Sequence, residues 1–173
     1  MIIFGLDFFY FFECIKSIKM VIIIFVLVLW YGGLFFQSFF LHRYAAHQVF
    51  TMSKSMERIS FILTWIFQGP SYLSAYGYGI MHRMHHAHTD TEKDPHSPSH
   101  DSNIVTMMWK TKNIYQDINE KRIPVEPQFV NGVPQWEKFD LFAGSKISRI
   151  LWIVAYLMFF LFFSNSWGEW LLF

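Results

Sequence analysis

The sequence predicts an all-helical, multi-pass membrane protein in which a polar, histidine-rich region lies between two membrane spans. Hydrophobic residues make up 53% of the 173 residues and charged residues only 16%, against about 25% charged in soluble domains. Both ends are apolar, and 12 of the 14 Lys and Arg residues lie between them. A formal net charge of +1 gives no basic surface for nucleic acid, and a single cysteine, Cys14, excludes a disulfide framework and a cysteine-based metal site.

The first predicted span is the uncharged run of residues 20–41. As a helix it is about 33 Å long, enough to cross the hydrocarbon core of a bilayer. Residues 1–19 are also apolar but carry four charges, so they are expected to form an extra half-span or an interfacial helix. They do not resemble a signal peptide, because the basic residues follow the apolar run.

The second predicted span is residues 150–173, in which Trp167 and Trp170 suit the membrane interface and Glu169 is too costly to lie deeper. The region between the spans, residues 42–149, carries most of the basic residues. By the positive-inside rule it is predicted to face the cytoplasm. The protein is therefore predicted to be an integral membrane protein in contact with lipid.

Residues 59–81 are uncharged, but Gly and Pro residues interrupt them. We expect a broken, re-entrant or interfacial segment rather than a crossing, because a crossing would separate the histidines on either side of it. Residues 121–140, with three prolines and an Asn-Gly pair, are predicted to be a loop without regular structure.

Two histidine clusters flank this broken segment. His42 and His47 follow the first span in the sequence HRYAAH, and HRMHHAH begins at His82. On a helix, His82, His85 and His86 share one face. The five imidazoles predict a transition-metal site, since imidazole binds iron, copper, zinc or nickel, whereas magnesium and calcium prefer oxygen ligands.

The spacing of His42 and His47 leaves several geometries open. Five residues correspond to about 140° on an ideal helix, which suits a helix end, a π-bulge, or two ligands directed at different metals. It slightly favours a dinuclear centre. Ligating imidazoles also need acceptors for their other ring N–H, and Asp94 and His96 in the following acidic stretch are candidates for such supporting partners.

HRYAAH followed by HRMHHAHTDTEKDPHSP resembles the first two histidine boxes of the membrane fatty-acyl desaturases, acyl-CoA delta-9 type. The pattern of that family is HxxxxH, then HxxHH followed shortly by Asp-Pro-His. The resemblance covers about residues 20–170. It implies a single desaturase domain that uses two iron ions and O2 to introduce a cis double bond into a long acyl chain in lipid biosynthesis.

The resemblance implies that the five box histidines are iron ligands, with no catalytic residue beyond the metal centre. It implies an acyl-CoA or acyl-lipid substrate, and a separate electron donor, cytochrome b5 or ferredoxin by analogy. From the residues themselves, Trp65, Tyr72 and Tyr76 are candidates for lining an apolar slot that holds the acyl chain.

The family has a third histidine box that these residues lack, so we interpret the sequence as the N-terminal portion of a desaturase. Only partial iron occupancy and no turnover by these 173 residues alone are expected. Two alternatives stay open. One is a catalytically inactive protein, either a remnant or a partner of another desaturase. The other is a related di-iron membrane hydroxylase.

Overall fold

The computed structural model describes the backbone of residues 3–163 and the side chains of residues 20–163. All regular structure in this part of the chain is helical, which confirms the predicted fold class. The elements are α1 (Ile3–Phe36), a π-helix (Gln37–Ala46), α2 (Lys54–Gln68), α3 (Ala75–His88), α4 (Ile104–Asn119), α5 (Pro127–Val130), α6 (Glu137–Ala143) and α7 (Lys146–Phe163), with 3-10 turns at Gly69–Ser71 and Pro98–His100.

Within the described residues, two helical stretches are long and apolar enough to cross a membrane. They are Met20–Ala46, with a mean hydropathy of 2.3, and Lys146–Phe163, with a mean hydropathy of 1.8. Most of their side chains face outwards, as expected of helices whose apolar surfaces meet lipid. Residues 164–173, the rest of the second predicted span, lie outside the described residues.

The N-terminal residues continue directly into the first apolar stretch. Helix α1 runs without interruption from Ile3, so residues 3–19 are not a separate helix. Helices α1 and α7 then pack through aromatic rings: Phe25 stacks on Phe159 with ring centroids 3.8 Å apart and meets Tyr156 edge to face at 5.9 Å.

The uncharged segment 59–81 is divided between two helices. Helix α2 ends where Gly69 adopts a positive φ of 54° and Pro70 follows, a combination that a helix interior does not tolerate. A Cβ at Gly69 would also lie 2.2 Å from the hydroxyl of Tyr156. Helix α3 starts afresh after Ser74, whose side chain accepts a hydrogen bond from the Gly77 N–H at 3.0 Å.

The core lies where the π-helix packs against α2 and α3. Gly79 lets α3 approach closely, because a Cβ there would lie 3.3 Å from the carbonyl oxygen of Ala45. Phe61 of α2 meets Phe40 edge to face at 5.0 Å. The buried members of this core are Phe36, Phe40, Leu41, Ala45, Phe61 and Ala75. The packing brings the ends of the π-helix and α3 side by side.

The prediction that residues 121–140 lack regular structure is wrong in part. Helix α5 occupies Pro127–Val130 and α6 begins at Glu137. Pro127 is the first residue of α5, where the N–H that proline lacks would have no helical partner. The prolines were interpreted only as helix breakers, although one of them starts a helix.

Candidate metal centre

The π-helix brings the two histidines of the first box together. Its i→i+5 bonding places the His47 N–H 3.0 Å from the carbonyl oxygen of His42, so the two residues are one π-helical turn apart. Their ring centroids are separated by 4.5 Å. Of the geometries left open by the spacing, the structure has the π-helical one, with both rings in the same cluster.

Helix α3 adds two histidines from the second box. His82 and His86 are one α-helical turn apart, and their Nε2 atoms lie 3.0 Å from each other. The Nε2 atom of His82 is also 3.1 Å from that of His47, and the rings of His42 and His82 are 4.6 Å apart. One ligand atom from each of the four histidines lies within 4.8 Å of the other three.

This donor set fits a transition metal. The Nε2 atom of His82 lies 3.1 Å from that of His47 and 3.0 Å from that of His86. Two ligand nitrogens at right angles around a metal, each with a bond of about 2.1 Å, are also about 3 Å apart. Four imidazole ligands suit iron, zinc, copper or nickel. His42 and His82 are half-buried, whereas His47 and His86 are exposed.

Burial and mutual repulsion keep two of these imidazoles neutral. Burial, followed by the neighbouring imidazoles His42, His86, His47 and His85, lowers the pKa of His82 from 6.5 to about 4. Burial, with His42, His86 and Arg83, lowers the pKa of His47. The neutral imidazole is the form that binds a metal, so both side chains are ready as ligands at neutral pH.

His85 lies apart from this cluster. Its Nδ1 is 2.9 Å from Oδ1 of Asp94, and its ring centroid is 5.8 Å from that of His86. Asp94 is buried and accepts backbone N–H bonds from His96 at 2.8 Å and from Asp90 at 3.0 Å. The structure therefore unites four of the five predicted ligands and turns the fifth toward Asp94.

Asp94 fixes the tautomer of His85. Burial acts to raise the pKa of Asp94, but the hydrogen bonds from His85, His96 and Asp90 outweigh it and lower the pKa. The carboxylate is then only an acceptor, so Nδ1 of His85 carries a proton, and in the neutral form of the ring the lone pair is on Nε2. His96, the other predicted supporting residue, places Nδ1 3.0 Å from the hydroxyl of Thr111.

The comparisons with known proteins give one result. The family model described as fatty acid desaturase matches residues 20–173. The chain belongs to the fatty acid desaturase family. No curated protein and no solved structure matches it. Family membership implies an oxidoreductase that acts on a fatty-acyl substrate and uses a di-iron centre, and the cluster of His42, His47, His82 and His86 is consistent with such a centre.

In this desaturase chain, the aromatic residues predicted to line an acyl slot occupy different surroundings. Trp65 donates from Nε1 to Ser148 of α7 at 2.8 Å, and the Tyr72 hydroxyl donates to Asp140 of α6 at 2.6 Å. Tyr76 lines a pocket of about 380 Å³. The other residues lining this pocket are Asn119, Glu120, Lys121, Gln135, Glu137, Asp140 and Leu141.

Two residues that the sequence analysis does not place at the metal site lie beside the histidines. The Tyr78 ring stacks on His82, with centroids 5.5 Å apart and planes 11° from parallel. Arg83 lies between box histidines and hydrogen-bonds to backbone carbonyls of the π-helix. The i, i+4 spacing of Tyr78 and His82 indicates proximity on a helix, whereas no sequence signal identifies the carbonyls that Arg83 contacts.

Proposed function

We propose that this protein takes part in fatty-acyl desaturation of the acyl-CoA delta-9 type, introducing a cis double bond into a long acyl chain. In this reaction a –CH2–CH2– unit loses two hydrogens, and O2 takes these up with two protons and two electrons from a donor, leaving two waters. The convergence of both histidine boxes on one cluster supports the proposal. The electron donor is a separate protein, cytochrome b5 or ferredoxin by analogy.

His42, His47, His82 and His86 would hold iron, and His85 would serve as a further ligand for the second ion of a di-iron centre. Bound iron supplies the O2 activation that attack on an unactivated CH2 requires, because no amino-acid side chain does so. The protein supplies neutral imidazoles and holds them close together. Asp94 supports His85 by accepting its Nδ1 proton, and His96 supports Asp94 through its backbone N–H.

The acyl chain is proposed to lie against aromatic residues near the end of α2, in the turn after it and at the start of α3. Hydrogen bonds fix the rings of Trp65 and Tyr72, to Ser148 and Asp140 respectively, so they present rigid apolar surfaces. Tyr76, one turn and a half before His82 on α3, connects this region with the metal cluster along one helix. A rigid, apolar surface is what positions a flexible alkyl chain.

The protein is proposed to be an integral membrane protein whose boxes lie on one side of the bilayer, because they must share a centre. The basic residues between the spans favour the cytoplasmic side. Single cysteines at the exposed positions Ser55 and Ser102, in a Cys14→Ser background, are expected to react with an impermeant reagent from the same side. Labelling from opposite sides would contradict a shared site.

The proposed reaction is tested by expressing the natural gene in a desaturase-deficient host and analysing its fatty acids. Unsaturated acids are expected to appear, to be abolished by His82→Ala, and to be unaffected by His100→Ala. His100 is the matched control because it lies outside both boxes and hydrogen-bonds to the carbonyl of Asp90. Formation of hydroxylated products, or of no product, would contradict the proposal.

A further inference from the structure

The C-terminal end of the π-helix leaves two buried carbonyl groups without a backbone donor, directly beside the first histidine box. The N–H groups of His47, Gln48 and Val49 donate to the carbonyls of residues 42–44, at distances of 3.0–3.2 Å. The next two carbonyls, those of Ala45 and Ala46, are the last of the π-helix, so no following turn donates N–H groups to them. They need donors from elsewhere in the protein.

Arg83 of α3 provides these donors. Its Nε donates to the carbonyl of Ala46 at 2.6 Å, and Nη2 donates to that of Ala45 at 3.1 Å. Its remaining nitrogen, Nη1, donates to the carbonyls of Phe129 at 3.1 Å and Asn131 at 2.7 Å. A single guanidinium on α3 therefore joins the end of the π-helix to the end of α5 and Asn131, the residue that follows it.

The position of Arg83 in α3 explains why this contact bears on the cluster. Gly79, one turn earlier, allows α3 to lie against the carbonyl of Ala45, and Arg83 continues the same face of the helix. His82 immediately precedes Arg83, and Ala46 immediately precedes His47. The guanidinium thus fixes the backbone next to the two histidines whose Nε2 atoms are 3.1 Å apart.

A second contact holds the same segment against the first box. Gln48, with a positive φ of 52°, donates from Nε2 to the carbonyl of Asn131 at 3.2 Å. Gly132 makes room for it, since a Cβ there would lie 2.1 Å from that Nε2 atom. The carbonyl of Asn131 therefore accepts from Arg83 of the second box and from Gln48 beside the first.

We propose that Arg83 is a positioning residue that caps the π-helix from α3 and so sets the distance between the first and second histidine boxes. This inference rests on the proposed metal site. A planar guanidinium carries N–H groups on three nitrogens, so it can donate to the carbonyls of the π-helix and to those at the end of α5 at the same time. The ammonium of lysine donates from a single nitrogen. A cation also interacts favourably with the carbonyl end of a helix.

The first test measures backbone protection without metal. Hydrogen exchange is compared for the full chain and for Arg83→Lys and Arg83→Gln, with Arg122→Gln as control, because exposed Arg122 pairs only with Asp117 and Glu120 among its described partners. Exchange is expected to rise in peptides covering residues 44–50 and 130–133, and to stay unchanged in α7. Equal protection in all four proteins would overturn the proposal.

The second test measures the affinity of the same proteins for Co²⁺ by its visible absorption. Both Arg83 variants are expected to bind at least about tenfold more weakly, the usual cost of removing a group that orients ligands, and Arg122→Gln to bind like the unmodified chain. Unchanged affinity in Arg83→Lys would overturn the role of Arg83. If Arg83→Gln loses its helices, Arg83→Lys decides.

The two proposals fail in different ways. Absence of Co²⁺ binding in the unmodified chain would refute the metal site, and this inference with it. Normal binding in the unmodified chain and in Arg83→Lys would refute the inference alone. Raised exchange throughout α1 and α7 in Arg83→Lys would show a general structural role instead, and would also overturn it.

Discussion

The box region and the paired apolar helices are held together by different kinds of interaction. In the box region, formed by the π-helix, α3 and Asp94, polar groups fix the geometry: His85 bonds to Asp94, and Arg83 to backbone carbonyls. Between α1 and α7 the contact is aromatic, with Phe25 stacked on Phe159. The first kind of interaction is directional, whereas the second tolerates small displacements.

This difference separates the candidate metal site from the two helices that could span a membrane. Apolar packing between helices in lipid gains little from the hydrophobic effect, because the lipid is as apolar as the side chains. It can place the helices in the bilayer without fixing ligand positions. Hydrogen bonds to buried acceptors can hold ligand atoms in position to within less than an ångström. A metal site requires this precision. Substitutions in the two regions are therefore expected to affect different properties.

The largest effect is expected from the histidines themselves. His82→Ala together with His86→Ala removes half of the four-imidazole cluster, and metal retention after purification is expected to be abolished. His88→Ala is the matched control, because His88 lies on the same helix but outside the cluster. The metal content of each protein is measured after purification. Equal amounts in the double variant and in the control would contradict the assignment of His82 and His86 as ligands.

The next largest effect is expected from Asp94→Asn. The carboxylate of Asp94 accepts hydrogen bonds at both oxygens, from His85, His96 and Asp90. The amide of asparagine has only one oxygen and cannot accept all three. The ring of His85 should therefore lose its fixed orientation. Affinity for Fe²⁺ under anaerobic conditions is expected to fall about ten- to hundredfold. The control is Asp90→Asn, an exposed residue whose carboxylate bonds only weakly to serine hydroxyls. No change in affinity would show that His85 is not a ligand.

A smaller effect concerns Asp140, beside the Tyr72 ring. Burial, despite hydrogen bonds from Tyr72 and the Trp136 N–H, raises the pKa of Asp140 from 3.8 to about 6. The folded state thus binds this proton more tightly than the unfolded state. The contribution of the protonated Asp140 to the free energy of unfolding is therefore full below about pH 4 and is lost as the pH rises through about 6. Asp140→Asn should therefore gain stability relative to the unmodified chain between pH 4 and 7.

Thermal unfolding in detergent, measured from pH 4 to 7, checks this prediction. The difference in stability between the two proteins should change by about 2 kcal/mol across that range. Asp117→Asn is the control, since Asp117 is a partly exposed partner of Arg122. A difference that is constant with pH would contradict the raised pKa of Asp140.

The smallest effect is expected from Phe25→Ala, which removes the stacked pair between α1 and α7. The stability of the protein in detergent should fall by about 1 kcal/mol, with Co²⁺ affinity unchanged. Phe162→Ala is the control, because that side chain is 76% exposed. A loss of Co²⁺ affinity in Phe25→Ala would show that aromatic packing also sets the metal site.

The helical fold could be predicted from composition and from the length of the uncharged runs, because these properties are local. The division of residues 59–81 likewise follows from Gly69 and Pro70, which restrict the backbone where they stand. The short helix at Pro127 was missed since proline is compatible with both a loop and a helix start. That the segment does not cross the membrane stays a prediction.

The candidate site could be predicted as a set of residues but not as a geometry. Spacing indicated that His82 and His86 share a face and that His42 and His47 allow a π-helical turn. It gave His85 the same direction as its neighbours, whereas in the structure His85 lies outside the four-histidine cluster and its Nδ1 contacts Asp94, nine residues later. The carbonyls bound by Arg83 come from two separate segments, the end of the π-helix and the end of α5, and only the tertiary structure brings them together.

The central claim, that both boxes contribute to one metal centre, is tested most directly by X-ray absorption at the iron edge. The iron-loaded full chain is expected to show the scattering pattern of several imidazoles, and their number should fall in both His42→Ala and His82→Ala. If only oxygen ligands appear, or if one of these substitutions leaves the imidazole count unchanged, the two boxes do not form a shared centre.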